Sequence, residues 1–282
     1  MKLLIVGGES DPNTQRIVDQ AHLRDLDYFF WDTDHPDCLN IAWDFNQPDL
    51  DLGENRLRPS AIFMRWNVFG GNADHNLAAF ETIQAYTFAW PETRILNRRT
   101  ITDINNKSFN LRLAIQSGFQ IPNTLVMSNL SPLVTIPNPE SQVAKPLNGG
   151  AHTVSVADLA ADQNRLTSQP PQFIQEKLVG ENLRLFSVGG QLSCFHLVTS
   201  ELDYREDANV GVVQVEVPPE LVEPTQRIVS SKGFDYCALD FRCRQGFEEP
   251  VFLEVNSFPM FVRFDDAGQN CIADSILDFF KI

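Results

Sequence analysis

Two carboxylates and an amide near the end of the chain are the side chains best suited to holding a cation. The segments that carry them are typical strands, joined by a turn around Gln245-Gly246. If that turn is centred on Phe247, Asp240 lies opposite Glu254, and Asn256 shares the face of Glu254. Two carboxylates opposed on a sheet repel each other, so a positive group is expected between them. Oxygen donors of this kind suit Mg²⁺.

The same pattern is compatible with an ordinary solvated strand face. A register shifted by one residue would send the three groups to different faces of the sheet. In the metal-binding interpretation, the neighbouring apolar side chains point into the core; these are Leu239, Phe241, Leu253 and Val255. The spacing alone leaves both interpretations open.

Two lysines are candidates for binding phosphate. Lys145 ends a strand and precedes Gly149 and Gly150, so its ammonium and the backbone N–H groups of the loop could contact phosphate oxygens. Lys107 lies near the start of a helix. A surface hairpin accounts equally well for Lys145 and its glycines, so this signal is weak by itself.

A strand edge of mixed polarity offers backbone groups to a flat ligand. It consists of Gln175, Glu176, Lys177 and Leu178. The N–H and C=O groups of such an edge can bind a purine. An amphipathic strand without any ligand has the same pattern.

Composition excludes several classes of function. The chain has 282 residues, 43% of them apolar and 21% charged, with 22 basic and 37 acidic residues and a net charge of −15. It contains no basic run, so nucleic acid and an anionic membrane surface are not expected partners. The five cysteines form no CxxC pair, which predicts free thiols rather than a zinc ribbon or a disulfide framework. Without a signal-peptide core or a long apolar segment, the protein is expected to be cytoplasmic.

The elements that must position these residues form three predicted regions. Residues 1–95 have a strand–helix–strand pattern typical of a parallel βαβ unit, residues 96–172 form a second region, and residues 173–282 form a third, mostly of strands. Predicted strands lie at 3–6, 28–31, 61–64, 124–127, 152–156, 173–178, 183–188, 192–198, 210–217, 236–242 and 251–256. Predicted helices end at 23, 88, 117, 231 and 280; the third of these is expected to bury Phe109, and the fourth to start around Pro224.

Taken in chain order, these motifs resemble those of the ATP-grasp ligases. The resemblance covers residues 95–282 and includes Asn106-Lys107, Gly118-Phe119-Gln120-Ile121-Pro122-Asn123-Thr124, Lys145-Pro146 with Gly149-Gly150, Gln175-Glu176-Lys177-Leu178, Gly180 to Arg184, Val188-Gly189, and Asp240 with Glu254-Val255-Asn256. Within that superfamily the sequence is most similar to the ribosomal-protein glutamate ligases and the graspetide (microviridin-type) macrocyclases. Two stretches carry that likeness, Leu202-Asp203-Tyr204-Arg205 and the segment from Glu254 to Phe261.

The resemblance implies an α/β ATP-grasp fold, in which an N-terminal βαβ pre-grasp domain precedes two lobes that clasp ATP. It implies ATP with Mg²⁺ or Mn²⁺, and a reaction in which ATP phosphorylates a carboxylate that an amine or hydroxyl then attacks. The expected product is an amide or ester, released with ADP and phosphate. The substrate would be a peptide, as in precursor macrocyclisation or amino-acid addition.

The same resemblance implies roles for individual residues. Asp240, Glu254 and Asn256 would hold the metal, and Lys107 and Lys145 would neutralise phosphate charge beside the loop of Gly149 and Gly150. The backbone of Lys177 and Leu178 would bind adenine, next to Gln175 and with Glu176 near the amino group. Arg184 and Arg205 would grip the transferring phosphate or the substrate carboxylate.

Two departures from the family pattern affect these expectations. The family usually has Asp or Glu at the position of Asn182, so either the neighbouring Glu181 contacts the ribose or that contact is weaker. Ser257-Phe258 replaces the usual Pro-Asn pair, which changes the wall beside the metal.

Alternative functions remain open at this stage. A ligase of the same fold could join an amino acid to a small-molecule carboxylate or amine, and a kinase could use the same clasp. A nucleotide-binding regulatory module would be expected to have lost the metal ligands, whereas all three are present. The oligomeric state, including a homodimer, is not determined by the sequence.

Overall fold

The structure is a computed structural model that describes residues 2–35, 40–70, 73–100, 105–147, 152–161, 166, 170–199, 201 and 209–281. Its strands are β1 Leu3–Gly7, β2 Tyr28–Asp32, β3 Ile41–Ala42, β4 Leu50–Leu52, β5 Asn55–Leu57, β6 Ala61–Met64, β7 Arg94–Ile95, β8 Thr124–Met127, β9 Gln142–Pro146, β10 Val154–Ser155, β11 Gln172–Glu176, β12 Asn182–Val188, β13 Gln191–Val198, β14 Gly211–Val215, β15 Tyr236–Gln245 and β16 Glu248–Asn256. Its helices are α1 Pro12–Leu23, α2 Ala73–Ala89, α3 Lys107–Ser117, α4 Val156–Ala161, α5 Pro219–Lys232, α6 Val262–Ala267 and α7 Cys271–Phe280.

The N-terminal region is built on a parallel sheet, as its strand–helix–strand pattern predicts. The strand order is β2-β1-β6-β7, and β1 pairs in parallel with both β2 and β6. One face of this sheet packs against α2 and the small sheet β3-β4-β5. The other face packs against α1, which begins at Pro12 because Asp11 accepts a hydrogen bond from the N–H of Asn13 (2.9 Å).

The first sheet shares one continuous hydrophobic core with the last part of the chain. Leu3, Ile5 and Phe63 of the N-terminal sheet belong to the same buried cluster as Phe186 of β12 and Ile276 of α7. A core that crosses between regions in this way fixes them relative to each other, because opening it would expose apolar surface. The N-terminal region is therefore part of the platform that carries the candidate site.

The central sheet has the order β10-β9-β11-β8. Side chains alternate across β9 and β11, so Ala144 and Ile174 point into the small core under α4. Their neighbours Lys145 and Gln175 point to the opposite face of the central sheet. Phe173 lies on that same face and is buried in the core of the last sheet. The polar residues predicted on these strands therefore face the last sheet.

The last sheet is antiparallel, with the order β14-β13-β12-β15-β16. Helices α3 and α5 cover one face, where Leu239, Phe241 and Val255 are buried as predicted. The other face packs against α6, α7 and the N-terminal sheet at one end. The remaining part of that face is left for the polar residues Arg184 and Asp240.

The sheets divide the chain differently from the predicted regions. Strand β11 is hydrogen-bonded to β8 and β9, so the central sheet extends to Glu176 rather than stopping at residue 172. Helix α3 lies in the predicted second region but packs on α5 and β16. The chain thus contributes a helix to the third lobe before it builds the central sheet.

Several predicted elements need correction. Helix α5 begins at Pro219 and contains Pro224, because its apolar face already starts at Leu221. The predicted strand at 152–156 is only two residues long and leads into α4, whose second residue donates its N–H to the Ser155 hydroxyl (3.2 Å). The short strands β3 to β5 and helix α6 were not predicted.

Two predicted core residues lie elsewhere. Phe109 is 55% exposed, with the ammonium of Lys232 located 5.5 Å from its ring centroid. Leu253 is half-buried and lines a cleft described below. In the part of the chain that the structure describes, no helix combines the length and the hydrophobicity required to cross a membrane.

A single asparagine joins the N-terminal region to the last sheet. The side chain of Asn97 is 1% exposed; its Oδ1 accepts from the N–H groups of Asp235 (2.7 Å) and Tyr236 (2.9 Å). Its Nδ2 donates to the carbonyl oxygens of Tyr236 (2.6 Å) and Ser257. Ser257 directly follows Asn256, so this contact also holds the wall of the candidate site.

We expect Asn97→Ala to lower the free energy of unfolding by about 3 kcal/mol, because buried backbone groups lose their partners. Asn138→Ala is the matched control: Asn138 has φ 53° against 57° for Asn97, but it is exposed and makes no side-chain capping bond. Asn138→Ala should lower the free energy of unfolding by no more than about 1 kcal/mol. Urea denaturation measures both, and equal losses in the two variants would contradict the role of Asn97.

Candidate functional site

The candidate site begins with a buried ion pair on the open face of the last sheet. Arg184 of β12 and Asp240 of β15 are directly paired in the sheet register. Nη1 of Arg184 lies 2.8 Å from Oδ1 and 3.0 Å from Oδ2 of Asp240, and the two residues are 6% and 7% exposed. A charged pair this deeply buried requires close contact, because each charge has lost its hydration.

Glu254 faces Asp240 because of a β-bulge, not because of the turn. The turn is the two-residue pair Gly246-Phe247, with Gln245 opposite Glu248, and this register would place Leu253 opposite Asp240. A register shift between Asp240 and Phe241 inserts one extra residue in β16 and brings Glu254 into place. The predicted pairing is therefore confirmed, whereas the predicted turn centred on Phe247 is wrong.

Two lysines and an asparagine surround the carboxylate of Glu254. Lys145 Nζ lies 3.2 Å and Lys107 Nζ 4.0 Å from its Oε2. Asn256 Nδ2 donates to Asp240 Oδ2 (3.3 Å) and to Glu254 Oε1 (3.4 Å). Five predicted site residues from the two last sheets and α3 thus meet at one point, with Arg184 beside them.

Burial and neighbouring charges shift the two carboxyl groups in opposite directions. Desolvation by burial raises the pKa of Asp240 to about 6, although Arg184 acts to lower it. Burial also acts to raise the pKa of Glu254, but Lys145 and Lys107 outweigh it and hold that pKa at about 2. A further positive charge beside Asp240 would therefore favour its ionised form.

The donor set fits a hard divalent cation. Two carboxylates and one amide on adjacent strands offer oxygen ligands, and a half turn of the Asn256 amide would exchange its nitrogen for its oxygen. The nitrogen now bridges the two carboxylates, in the position where they need positive charge. Mg²⁺ completes its coordination with water and phosphate oxygens.

A chain of amides that the sequence analysis missed leads to Asn256. Asn105 Nδ2 donates to Asn256 Oδ1 (3.4 Å), and Asn110 Nδ2 donates to Asn105 Oδ1 (2.7 Å). The ammonium of Lys232 then donates to Asn110 Oδ1 (3.2 Å). Such a chain orients the amide of Asn256. The signal in the sequence was a short Asn-rich segment, Asn105-Asn106, before a helix, whose partners only the fold identifies.

A cleft between the central sheet and the last sheet lies beside the carboxylates. It brings together Lys145 and the predicted edge of Gln175, Glu176, Lys177 and Leu178. The other lining residues are Pro122, Val143, Thr153, Arg242 and Leu253. Apolar walls with a few polar groups are typical of a site for a flat heterocycle.

The backbone of the edge presents one acceptor and one donor. The N–H of Lys177 donates to the carbonyl of Ser141 (2.8 Å), so it is committed to the protein. Among the described residues, the carbonyl of Lys177 and the N–H of Leu178 make no hydrogen bond. This pair can accept from an exocyclic amino group and donate to a ring nitrogen of a purine.

The side chains of Glu176 and Gln175 are engaged within the protein. Glu176 Oε1 accepts from Arg244 Nη1 (2.9 Å) and from the N–H of Asn123 (3.1 Å). Gln175 Nε2 donates to the Thr124 hydroxyl (2.9 Å). Both side chains therefore shape the cleft, and the carboxylate of Glu176 is committed to Arg244 rather than placed to bind an amino group.

Glu181 and Asn182 point in different directions. Glu181 Oε2 lies 2.7 Å from His196 Nε2, on the side of the sheet that faces α3 and α5. Asn182 precedes Arg184 by two residues in β12, so it shares the face of Arg184 and Asp240. Of the two candidates for a ribose contact, Asn182 is the one on the site's face. Three further predicted residues, Gly149, Gly150 and Arg205, lie outside the described residues.

Many solved structures are similar to this chain over nearly its whole length, and three of them illustrate the likeness. The ATP-grasp ligase PsnB, complexed with a minimal precursor, has a TM-score of 0.77 and 21% identity, with 99% of this chain and 98% of that chain covered. The macrocyclase MdnC of Microcystis aeruginosa MRC, bound with precursor peptide MdnA, has a TM-score of 0.74 and 18% identity, with 100% of both chains covered. A RiPP-associated ATP-grasp ligase of Chryseobacterium gregarium, in complex with ADP and a leader and core peptide, has a TM-score of 0.74 and 20% identity, with 99% and 96% covered.

These likenesses show that the chain has the ATP-grasp fold, as the motifs predicted. No family model matches the sequence, and no curated protein matches it. The fold was therefore identifiable from short motifs and from the structure rather than from overall sequence similarity.

We expect the affinity for Mn²⁺ to fall as the pH drops through about 6, where the raised pKa of Asp240 lies. The ion must displace the proton, so binding should weaken about tenfold between roughly pH 7 and pH 5. Titration of Mn²⁺ alone avoids the ionisation of a nucleotide phosphate. Asp240→Asn should bind the ion weakly and without this pH dependence; a wild-type affinity that is equal at both pH values would contradict the assignment.

Asn105→Ala should weaken Mn²⁺ binding roughly fivefold: once Asn256 has turned its oxygen to the ion, its nitrogen loses the neighbouring amide oxygen of Asn105 that can accept from it. Asn138→Ala again serves as the control, because Asn105 also has a positive φ, 45° against 53°. Calorimetry of ion binding and the thermal midpoint are measured together. A lower thermal midpoint with an unchanged affinity for Mn²⁺ would show that Asn105 only stabilises the fold.

Proposed function

We propose that this protein is an ATP-dependent ligase that joins a carboxylate to an amine or hydroxyl, acting on a peptide. One observation carries the proposal: the carboxylates Asp240 and Glu254, the lysines Lys107 and Lys145 and the edge at Lys177 lie around or beside one cleft. A nucleotide requires a pocket for its base, cations beside its phosphates and a metal ion. The cleft at Lys177, the two lysines and the two carboxylates are the features of this chain that meet those requirements.

The structural relatives support the nucleotide and the class of substrate. PsnB has been solved with a minimal precursor, Mg and ADP, and with precursor peptide PsnA2 and AMPPNP. The Chryseobacterium gregarium ligase and MdnC were solved with peptides as well. These relatives are 18–22% identical to this chain, so substrate and chemistry are carried over as a proposal.

The described residues divide the binding of the nucleotide among them. The carbonyl of Lys177 and the N–H of Leu178 bind adenine, and Asn182 contacts the ribose. Lys107 and Lys145 contact phosphate oxygens, leaving Glu254 to the metal. Asp240, Glu254 and Asn256 would hold Mg²⁺, which would supply positive charge beside the phosphates when bound.

Arg184 has a double role in this proposal. Its guanidinium fixes the carboxylate of Asp240, and it lies on the same face as the metal ligands. Arg184 would share the carboxylate of Asp240 with a bound ion, and its guanidinium can donate to the transferring phosphoryl group or the substrate carboxylate. Arg205, which belongs to the stretch Leu202-Asp203-Tyr204-Arg205, is proposed for the same task on the basis of that motif alone.

The reaction follows from these positions. An oxygen of the substrate carboxylate forms a bond to the γ-phosphorus as the bond to ADP breaks, giving an acyl phosphate. The amine or hydroxyl then attacks the carbonyl carbon, loses its proton, and displaces phosphate. No protein nucleophile is required, which agrees with thiols that are buried and have raised pKa values, Cys194 and Cys243 among them.

The most informative experiment measures ADP, AMP and phosphate release with candidate peptides and with free amino acids. ADP and phosphate released with peptides support the proposal, whereas release only with free amino acids indicates a ligase for small metabolites. AMP with pyrophosphate would reject an acyl phosphate. Mass spectrometry of the product, a loss of water from one peptide or a mass increase, separates macrocyclisation from amino-acid addition.

Glu254→Gln and Asp240→Asn should each lower kcat at least about 100-fold, because a metal ligand is lost. Glu248→Gln is the control: Glu248 is exposed on the same strand and should leave turnover unchanged. Thermal midpoints close to wild type would show that the fold is intact. A near-normal rate in either site variant would overturn the metal assignment.

A further inference from the structure

An exposed apolar surface stands at the end of the N-terminal sheet. It consists of Trp66, Val68 and Phe69, in the loop after β6, and Leu77 of α2, and we call it the aromatic surface. These side chains are 48%, 65%, 45% and 37% exposed. Two exposed aromatic side chains in one loop, with an exposed aliphatic side chain between them in sequence, are typical of an interaction site.

The loop that carries the aromatic surface is held rigidly from below. Asn67 is 4% exposed, and its Oδ1 accepts from the N–H groups of Phe69 (3.0 Å) and Gly70 (3.2 Å). Asn76 Nδ2 donates to the carbonyl of Gly70 (3.0 Å), which ties the loop to α2. Because the loop is ordered before any ligand arrives, binding costs little conformational entropy.

Carboxylates adjoin the aromatic surface on one side. Asn67 Nδ2 donates to Asp34 Oδ1 (2.5 Å), and Asp34, Asp32 and Glu9 follow at the ends of the neighbouring strands. The pKa of Asp34 is lowered: burial acts to raise it, but hydrogen bonds from Ser10 and Asn67 outweigh that effect. His35, whose Nε2 lies 3.4 Å from Asp32 and 3.7 Å from Glu9, is the facing basic group among the described residues here.

Buried contacts join the base of the loop that carries the aromatic surface to the wall of the candidate site. Arg65, which precedes Trp66, donates from Nη1 to the carbonyl of Pro259 (3.2 Å) and pairs with Asp11 (2.8 Å). Met64 and Phe258 line the same small cavity. Phe258 and Pro259 come two and three residues after Asn256, so these contacts connect the loop to the end of the strand that carries the candidate site.

We propose that the aromatic surface and the carboxylates beside it bind a segment of the substrate peptide in which an aromatic or aliphatic side chain neighbours a lysine or arginine. The aromatic rings attract cations and bury apolar side chains, and the carboxylates complement basic ones. A second copy of this chain, with a net charge of −15, is a poorer occupant, because its like charge opposes the approach. This inference rests on the proposed function and adds which peptides the site accepts.

The test uses two labelled twelve-residue peptides that share phenylalanine and leucine but carry either lysines or glutamates. Fluorescence anisotropy is measured on the full chain without nucleotide, so binding is separated from turnover. Wild type should bind the lysine peptide at least about tenfold more tightly than the glutamate peptide. The double variant Trp66→Ala with Phe69→Ala should lose about tenfold in affinity for it, and Glu9→Gln about threefold with a weaker salt dependence.

Phe88→Ala is the matched control, because Phe88 is 56% exposed at the far end of the same helix as Leu77. It should bind like wild type. Equal binding of both peptides, or an equal loss in the control and the double variant, would overturn the inference. Sedimentation that shows a dimer in wild type and a monomer in the double variant would identify a self-interface instead, and an effect of Glu9→Gln seen only with added Ca²⁺ would identify an ion site.

Failure of this inference can be told apart from failure of the proposed function. If the double variant turns over peptide with an unchanged KM, the aromatic surface does not bind substrate although the ligase assignment stands. If the lysine peptide binds at the surface but no peptide releases ADP, the surface stands and the ligase assignment falls.

Discussion

The opposition of Asp240 and Glu254 across one hairpin is the constraint on which the site depends. A buried and a half-buried carboxylate side by side cost stability unless positive charge compensates them, and the chain supplies that charge from three directions. Arg184 comes from the next strand, Lys145 from another sheet and Lys107 from a helix end. The carboxylates therefore act as the point at which three separate parts of the fold are required to meet.

This compensation leaves room for a cation rather than removing the need for one. The lysines lower the pKa of Glu254, whereas burial keeps the pKa of Asp240 above its ordinary value in spite of Arg184. A bound divalent ion would favour the ionised form of Asp240, and phosphate oxygens would compete for the lysines. A bound cation would thus take the place of the lysines at Glu254. The lysines released from Glu254 would then pair with the phosphates of the nucleotide.

The N-terminal region contributes more than a separate pre-grasp domain would. Asn13 and Arg65 of this region, together with Asn97 just after β7, bind the segment from Ser257 to Val262, which directly follows Asn256. The shared core around Phe186 and Ile276 makes this attachment rigid. The departure from the usual residues at Ser257-Phe258 therefore lies in a wall that two regions of the chain build together, which is where selectivity between substrates would be expected to differ.

The sequence by itself determined the types and order of the site residues: oxygen donors at 240, 254 and 256, lysines at 107 and 145, and a strand edge at 175–178. It determined most strands and helices too, because periodicity and caps are local. Tertiary structure decided which of these residues meet. The bulge that brings Glu254 opposite Asp240, the commitment of Glu176 to Arg244, the separation of Glu181 from Asn182 and the amide chain through Asn105 all depend on partners distant in sequence. Register and side-chain pairing are set by packing between sheets, and no local pattern encodes the position of the opposite strand.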